Sequence, residues 1–347
     1  MQRIKYLLHE CHSQIGGKSL RLEKRREISV KYQSVVALGI SATVSSVAHA
    51  NDKAVYAHPG QSVSLQAGVG YTWLEGNELV YDGQGNRISH LIWDTQAPVL
   101  TLGADAEVTD NWRIMAHGTF GFSGTGKSHG ADYDWIVPLS PSYAFNDWSG
   151  RSLSPADLDR YIAVDIAAGR DFVIDDATKV NIQGGFKYTD VKWTDHGGSH
   201  VYRSAGFRDD VGTFANVPGI TFEQRYPAIF LGAQAARTSG LWTFTGLLRG
   251  GVSVSPSDTD HHWLRDIRFE DRYDLAPFVS LGAQAGYKVA ANTDFFVGGS
   301  YDRYFRTKGD MTPYDIPTGT QLGGPNVNSA GMDFYSLTLS AGLKMTF

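Results

Sequence analysis

The chain ends Tyr335-Ser336-Leu337-Thr338-Leu339-Ser340-Ala341-Gly342-Leu343-Lys344-Met345-Thr346-Phe347. Every odd position is apolar or small, and the even positions are polar or glycine. Alternation of strict period two marks an extended strand with two unlike faces. An edge strand of a soluble sandwich meets that description. So does a membrane strand with lipid on one side and a polar interior on the other.

Working outward, the same pattern recurs. Val180, Ile182, Gly184, Phe186 and Tyr188 share one face, as do Trp242, Phe244, Gly246, Leu248, Val252 and Val254. Arg249 lies opposite the second set, in mid-strand, where a wet lumen suits it better than a dry core. Trp112–Phe122 and Leu275–Tyr287 behave likewise. Short turn sequences (Thr109-Asp110-Asn111, Asp175–Thr178, Thr238-Ser239-Gly240, Ala291-Asn292-Thr293) alternate with long polar segments near 123–158, 195–220, 255–270 and 307–333. Short turns on one rim and long loops on the other are the pattern of a membrane barrel. No stretch after residue 50 approaches the roughly 18 apolar residues of a spanning helix. The expected fold is therefore all-β, a ten-stranded antiparallel up-and-down transmembrane β-barrel. The terminal Phe347 resembles the C-terminal signature of bacterial outer-membrane barrels.

The N-terminus reads as a leader. Lys24, Arg25, Arg26 and Lys31 precede an apolar, small-residue run from Ser34 to Val47, and Ala48-His49-Ala50 has the form of a cleavage site. Residues 1–50 are expected to be removed, leaving 51–347 as a single barrel domain. Cys11, the sole cysteine, leaves with the leader, so thiol catalysis is excluded from the mature chain. Its removal also takes net charge from −5 to −10. An acidic chain is a poor partner for nucleic acid and suits cationic peptides or proteins.

The polar segments hold the candidate chemistry. In Gly130-Ala131-Asp132-Tyr133-Asp134-Trp135 two carboxylates lie two residues apart, on one face of an extended chain. Close carboxylates resist double ionisation, which suits acid–base work; a solvated loop or a weak cation site meets the same spacing. In Asp258-Thr259-Asp260-His261-His262 the even positions share a face. Asp260 could orient the His262 imidazole and stabilise its protonated form. His261 points away, and no further His-rich motif nearby argues for a metal. Continuing the register of Trp242–Val254, however, turns positions 258, 260 and 262 toward lipid. An inward site requires a one-residue slip near Ser255-Pro256-Ser257.

Together with Gly206-Phe207-Arg208-Asp209-Asp210-Val211-Gly212-Thr213-Phe214, these two segments resemble the omptins, outer-membrane aspartyl-type endoproteases of Gram-negative bacteria. The resemblance runs from about residue 62 to the C-terminus. It implies a ten-stranded barrel whose outer rim carries an acidic groove facing the extracellular side. It also implies an Asp260–His262 dyad facing Asp132 and Asp134, with a water between His262 and Asp132 attacking the scissile carbonyl. Glu78 and Asp258 match the acids that hold a basic side chain (Arg or Lys) before the cleaved bond. No cofactor is implied for the chemistry, but lipopolysaccharide is, as an activating lipid on the outer wall, with Arg225 and Phe186 as the matching positions. Asp190 has the wrong sign for a phosphate contact. The competing expectation is a non-enzymatic barrel, an adhesin or small pore, on the same scaffold.

Overall fold

The structure is a computed structural model that describes residues 62–347, apart from 110 and 137–139. The expected leader lies outside the described residues. Fifteen strand segments occupy them: β1 (Val63–Tyr81), β2 (Arg87–Thr109), β3 (Trp112–Gly121), β4 (Lys127–Asp134), β5 (Gly150–Asp175), β6 (Thr178–His196), β7 (Ser199–Tyr202), β8 (Asp210–Thr213), β9 (Pro218–Ser239), β10 (Trp242–Val254), β11 (Ser257–His262), β12 (Ile267–Tyr273), β13 (Leu275–Ala290), β14 (Thr293–Asp315) and β15 (Asn326–Thr346).

Ten of these close a ring. Going round, the order is β1, β2, β3, β5, β6, β9, β10, β13, β14 and β15, and β15 returns to β1 with Ser64 opposite Thr346; every pair is antiparallel. Closure gives each of the ten ring strands a partner on both sides, the condition for strands to cross lipid. Leu65, Val69, Ile166, Leu231, Phe244 and Leu339 point outward and are exposed, as a lipid-facing band requires. Arg249 is on the other face, 2% exposed, and pairs with Asp165 at 2.9 Å. Lys187 meets Asp302 at 2.9 Å in the same interior. At this level the lumen is polar, and Arg249 and Lys187 each meet an acid.

All four short turn sequences sit at one rim. Beyond the other rim the expectation of long loops needs correction. The polar segments are largely strand. β4 continues the line of β3 between β2 and β5, while β11 and β12 continue β10 and β13 between β9 and β14. Outside lipid neither face of a strand need be apolar, so alternation fades while the backbone pairing persists. The outward side chains change accordingly: Thr259 and His261 on β11, Arg268 and Glu270 on β12.

The slip demanded by the sequence is present. Ser253 pairs with Ala228 and Ser257 with Arg225, so four residues on one strand advance against three on the other. Ser255 takes the extra residue's strained conformation, φ 50°. The neighbouring strand moves with it, since Val254 pairs with Leu275 and Ser257 with Arg272. A second bulge closes the shifted block, where Tyr304 pairs with Phe334 and Thr307 with Met332. Below the bulge the even residues of β10 face out; above it the even residues of β11 are buried.

Inside the barrel, Tyr161, Tyr226, Phe278, Tyr304 and Phe334 form a buried aromatic floor. Tyr226 and Tyr304 stack at 4.2 Å between centroids. Trp93, Trp193 and Phe222 stack beside it, with centroids 6.0 to 6.3 Å apart. Gly76 makes room for this packing: a Cβ there would lie 2.7 Å from the Trp193 ring and 2.9 Å from Gln224 Oε1. Gly76→Val should therefore destabilise the barrel by about 1–3 kcal/mol through overpacking. The check is the temperature at which the folded, fast-migrating form is lost on an unboiled gel; an unchanged transition would refute the packing argument.

Candidate active site

Above the aromatic floor the inward side chains become acidic. β1, β2 and β4 present one level in common: Glu78 is opposite Leu91, and Leu91 is opposite Asp132. Glu78 is 1% exposed. Asp134 follows Asp132 on the same inward face, and Ser89 Oγ donates to Asp132 Oδ1 at 3.3 Å. From β11 come Asp258, Asp260 and His262, all buried by the slip at Ser255. His262 Nε2 and Asp260 Oδ2 are 2.5 Å apart. That contact uses Nε2, leaving Nδ1 as the nitrogen able to exchange a proton elsewhere. The Phe269 ring meets His262 edge-on at 5.5 Å and limits its rotation.

Each acid of the dyad-and-pair arrangement falls on the interior wall, so the predicted residues come together. His261 is directed outward and stacks on Trp263 at 5.0 Å. Electrostatics ties the set into one cluster. These groups lie beyond the lipid-facing band, and on β11 the outward residues beside them, Thr259 and His261, are polar. Burial pushes the Asp132 carboxyl well above the usual carboxylate range, and Asp134 adds to the shift; Asp260 also raises it, while Arg265 opposes. Burial likewise raises Glu78, helped by Asp260, Asp258, Asp271 and Asp132. Asp258 is pushed up to about 7, chiefly by burial. Carboxyls so placed hold protons near neutrality until a cation replaces them.

Three members of the cluster escaped the sequence reading. Asp271 of β12 lies directly opposite Asp258. Tyr273, two residues on, donates its hydroxyl to Asp258 Oδ2 at 2.8 Å. Asp195 of β6 accepts the Ile220 N–H at 2.6 Å, and its carboxyl feels both Asp260 and His262. The signal for Asp271 was a cross-strand register, which depends on the turn between β11 and β12 and not on spacing along the chain.

The Gly206–Phe214 segment belongs to the rim. Asp209 Oδ1 accepts the Ser204 N–H at 2.7 Å and Oδ2 accepts that of Ala205 at 2.9 Å, closing a turn. Arg208 lies over the Trp148 ring at 3.4 Å and donates to the Trp148 carbonyl at 2.9 Å. These contacts tie two rim connections together beside Asp134.

On the outer wall, Arg225 pairs with Glu223 at 2.6 Å. Asp190 accepts from Arg160 at 3.1 Å, so its unfavourable sign is offset by a base the sequence reading did not consider. Phe186 is exposed on the same wall, lower on β6.

A closed barrel with an apolar outer band and a carboxylate–histidine groove at one rim defines the class: an outer-membrane barrel enzyme. The family model described as "Omptin family" matches residues 59–347. The chain belongs to the omptin family, and with it to the proteases of the outer membrane. It is 26% identical over 273 residues to Protease 7 of Escherichia coli K12, spanning 76% of this chain and 83% of that one. It is 24% identical over 324 residues to the plasminogen activator of Yersinia pestis, spanning 92% and 100%. The crystal structure of the outer membrane protease OmpT from Escherichia coli superposes with a TM-score of 0.74 at 24% identity, over 82% of this chain and 97% of that one.

The raised carboxyls carry a pH signature. Their folded-state pKa values lie above the unfolded ones, so their contribution to stability is complete below the ordinary carboxylate range and is lost as pH rises through about 7 for Asp258. The thermal midpoint of the ligand-free barrel in detergent should fall between about pH 5 and pH 8, and Asp258→Asn should flatten the fall. Identical slopes in the two proteins would contradict the placement of Asp258.

Proposed function

We propose that this protease is a surface endopeptidase that cuts peptide bonds beside basic residues, using water activated by the Asp260–His262 dyad. The observation that carries this reading is the 2.5 Å contact between His262 and Asp260, held on the inward face of a strand within a cluster of protonatable acids. Asp260 orients the imidazole and offsets the charge it gains. His262 takes a proton from a water that attacks the carbonyl carbon, and the departing amine takes up a proton in turn. Asp132, kept protonated by burial and by Asp134, is suited to donate to the developing oxyanion. The nucleophile is water, so no covalent acyl-enzyme forms.

Glu78 and Asp258 provide the pocket for an Arg or Lys side chain before the cleaved bond. Two carboxylates fit the fork of a guanidinium, and a cation resolves the cost of keeping them buried. The substrates are cationic peptides or exposed protein segments, in keeping with the acidic groove. Lipopolysaccharide is the proposed activating lipid. Arg225, with Arg160 beside it, would meet lipid phosphate at the membrane boundary, and Phe186 would lie against acyl chains below. No metal takes part in this scheme.

Asp260→Ala and His262→Ala should each lower turnover of a fluorogenic dibasic peptide by at least about 1,000-fold, while the unboiled gel still shows a folded barrel. Adding lipopolysaccharide should raise the activity of the unsubstituted protein. Full turnover in both dyad variants would discard the mechanism.

A further inference from the structure

Two acids suffice to hold a guanidinium, yet the wall beside Asp258 carries a third. Asp271 is 1% exposed, neither of its carboxylate oxygens has a donor in good geometry, and the polar groups close to it are Asp258 and Tyr273, whose hydroxyl goes to Asp258. Glu78 Oε2 and Asp258 Oδ1 are unpartnered as well. Their positions converge: Asp271 is cross-strand to Asp258, and both act on Glu78 from across the lumen. Tyr273 fixes the other oxygen of Asp258, which leaves its free oxygen beside Asp271. The charges acting most strongly on Asp271 are those of Asp258 and Asp260, both of its own sign. A buried carboxylate oxygen without a donor is costly, and an incoming cation relieves that cost.

Number and shape of donors identify that group. Arginine presents a planar fork, matched by two carboxylates lying in its plane. The lysine ammonium is a compact charge with three donors directed to three corners, and a pair of acceptors leaves one of them unsatisfied in a dry pocket. We propose, resting on the basic-side-chain pocket argued above, that Asp271 is its third acceptor and a specificity-determining residue that admits lysine before the cleaved bond. Glu78, Asp258 and Asp271 then supply one oxygen to each ammonium donor. Arginine still binds, through two of the three.

The test uses the full chain, produced in the outer membrane of a protease-deficient host and extracted in detergent with lipopolysaccharide. Two fluorogenic peptides differ only in carrying Lys or Arg before the bond. Asp271→Asn should lower kcat/KM for the Lys peptide at least about tenfold, almost wholly through KM, and for the Arg peptide about threefold or less. Asp271→Ser, which removes the oxygen pair entirely, should show the same ordering. Equal losses on the two peptides, losses confined to kcat, or no loss would overturn the assignment. Binding of uncleavable Lys and Arg peptides, measured calorimetrically, gives the same comparison without turnover. If the unsubstituted protein cuts neither peptide, the endopeptidase reading fails. The role of Asp271 then stands or falls on whether Asp271→Asn selectively weakens Lys binding.

Discussion

The site depends on one extra residue. Between Ser253 and Ser257 the chain spends four residues where its neighbour spends three, and Ser255 absorbs the difference at φ 50°. Because side chains alternate strictly along a strand, an odd insertion exchanges the two faces of everything beyond it. Below the bulge, even positions meet lipid. Above it, Asp258, Asp260 and His262 turn into the barrel. A block containing β11, β12 and the upper part of β14 makes the exchange together, bounded by a bulge on each side. Asp271 is inward for the same reason. Without the bulge this sequence would carry its acids and imidazole on the outer wall.

The bulge brings the acids together, and the aromatic packing determines what that costs. Trp93, Trp193 and Phe222 exclude water from the base of the groove, while Gly76 and Gly130 provide the space the two indoles need. A dry base raises the energy of every carboxylate above it. Asp132, Glu78, Asp258 and Asp271 respond by keeping protons. Such a cluster weakens the empty barrel and favours whatever brings positive charge, so the pocket and the proton donor proposed above rest on the same burial.

How much of this was legible depended on where the strand stood. Within lipid the outer face must be apolar, so Trp242–Val254 and Tyr335–Phe347 revealed both their conformation and their facing. Arg249 disclosed a polar lumen because a membrane strand has nowhere else to put a charge. Above the membrane both faces are polar, the alternation disappears, and Asp132, Asp134 and the β11–β12 hairpin read as loop. Parity still had force there: it required the slip near Pro256 before any bulge was visible. Asp271 and Asp195 stayed hidden because their neighbours come from pairing across strands. Thirteen positions separate Asp258 from Asp271, and only the turn at Trp263–Arg265 makes them opposite. Arg160, the base beside Asp190, was missed for the same reason.

The aromatic floor has a consequence for traffic. Tyr161, Tyr226, Phe278, Tyr304 and Phe334 pack together in the interior beneath the acidic groove, so a chain that reaches the acids comes from the rim. Under the cleavage proposed above, both new chain ends would withdraw past that same rim. A long polypeptide would then offer an exposed stretch, bend it down to the acids and release the two halves separately, a path suited to single cuts in accessible segments.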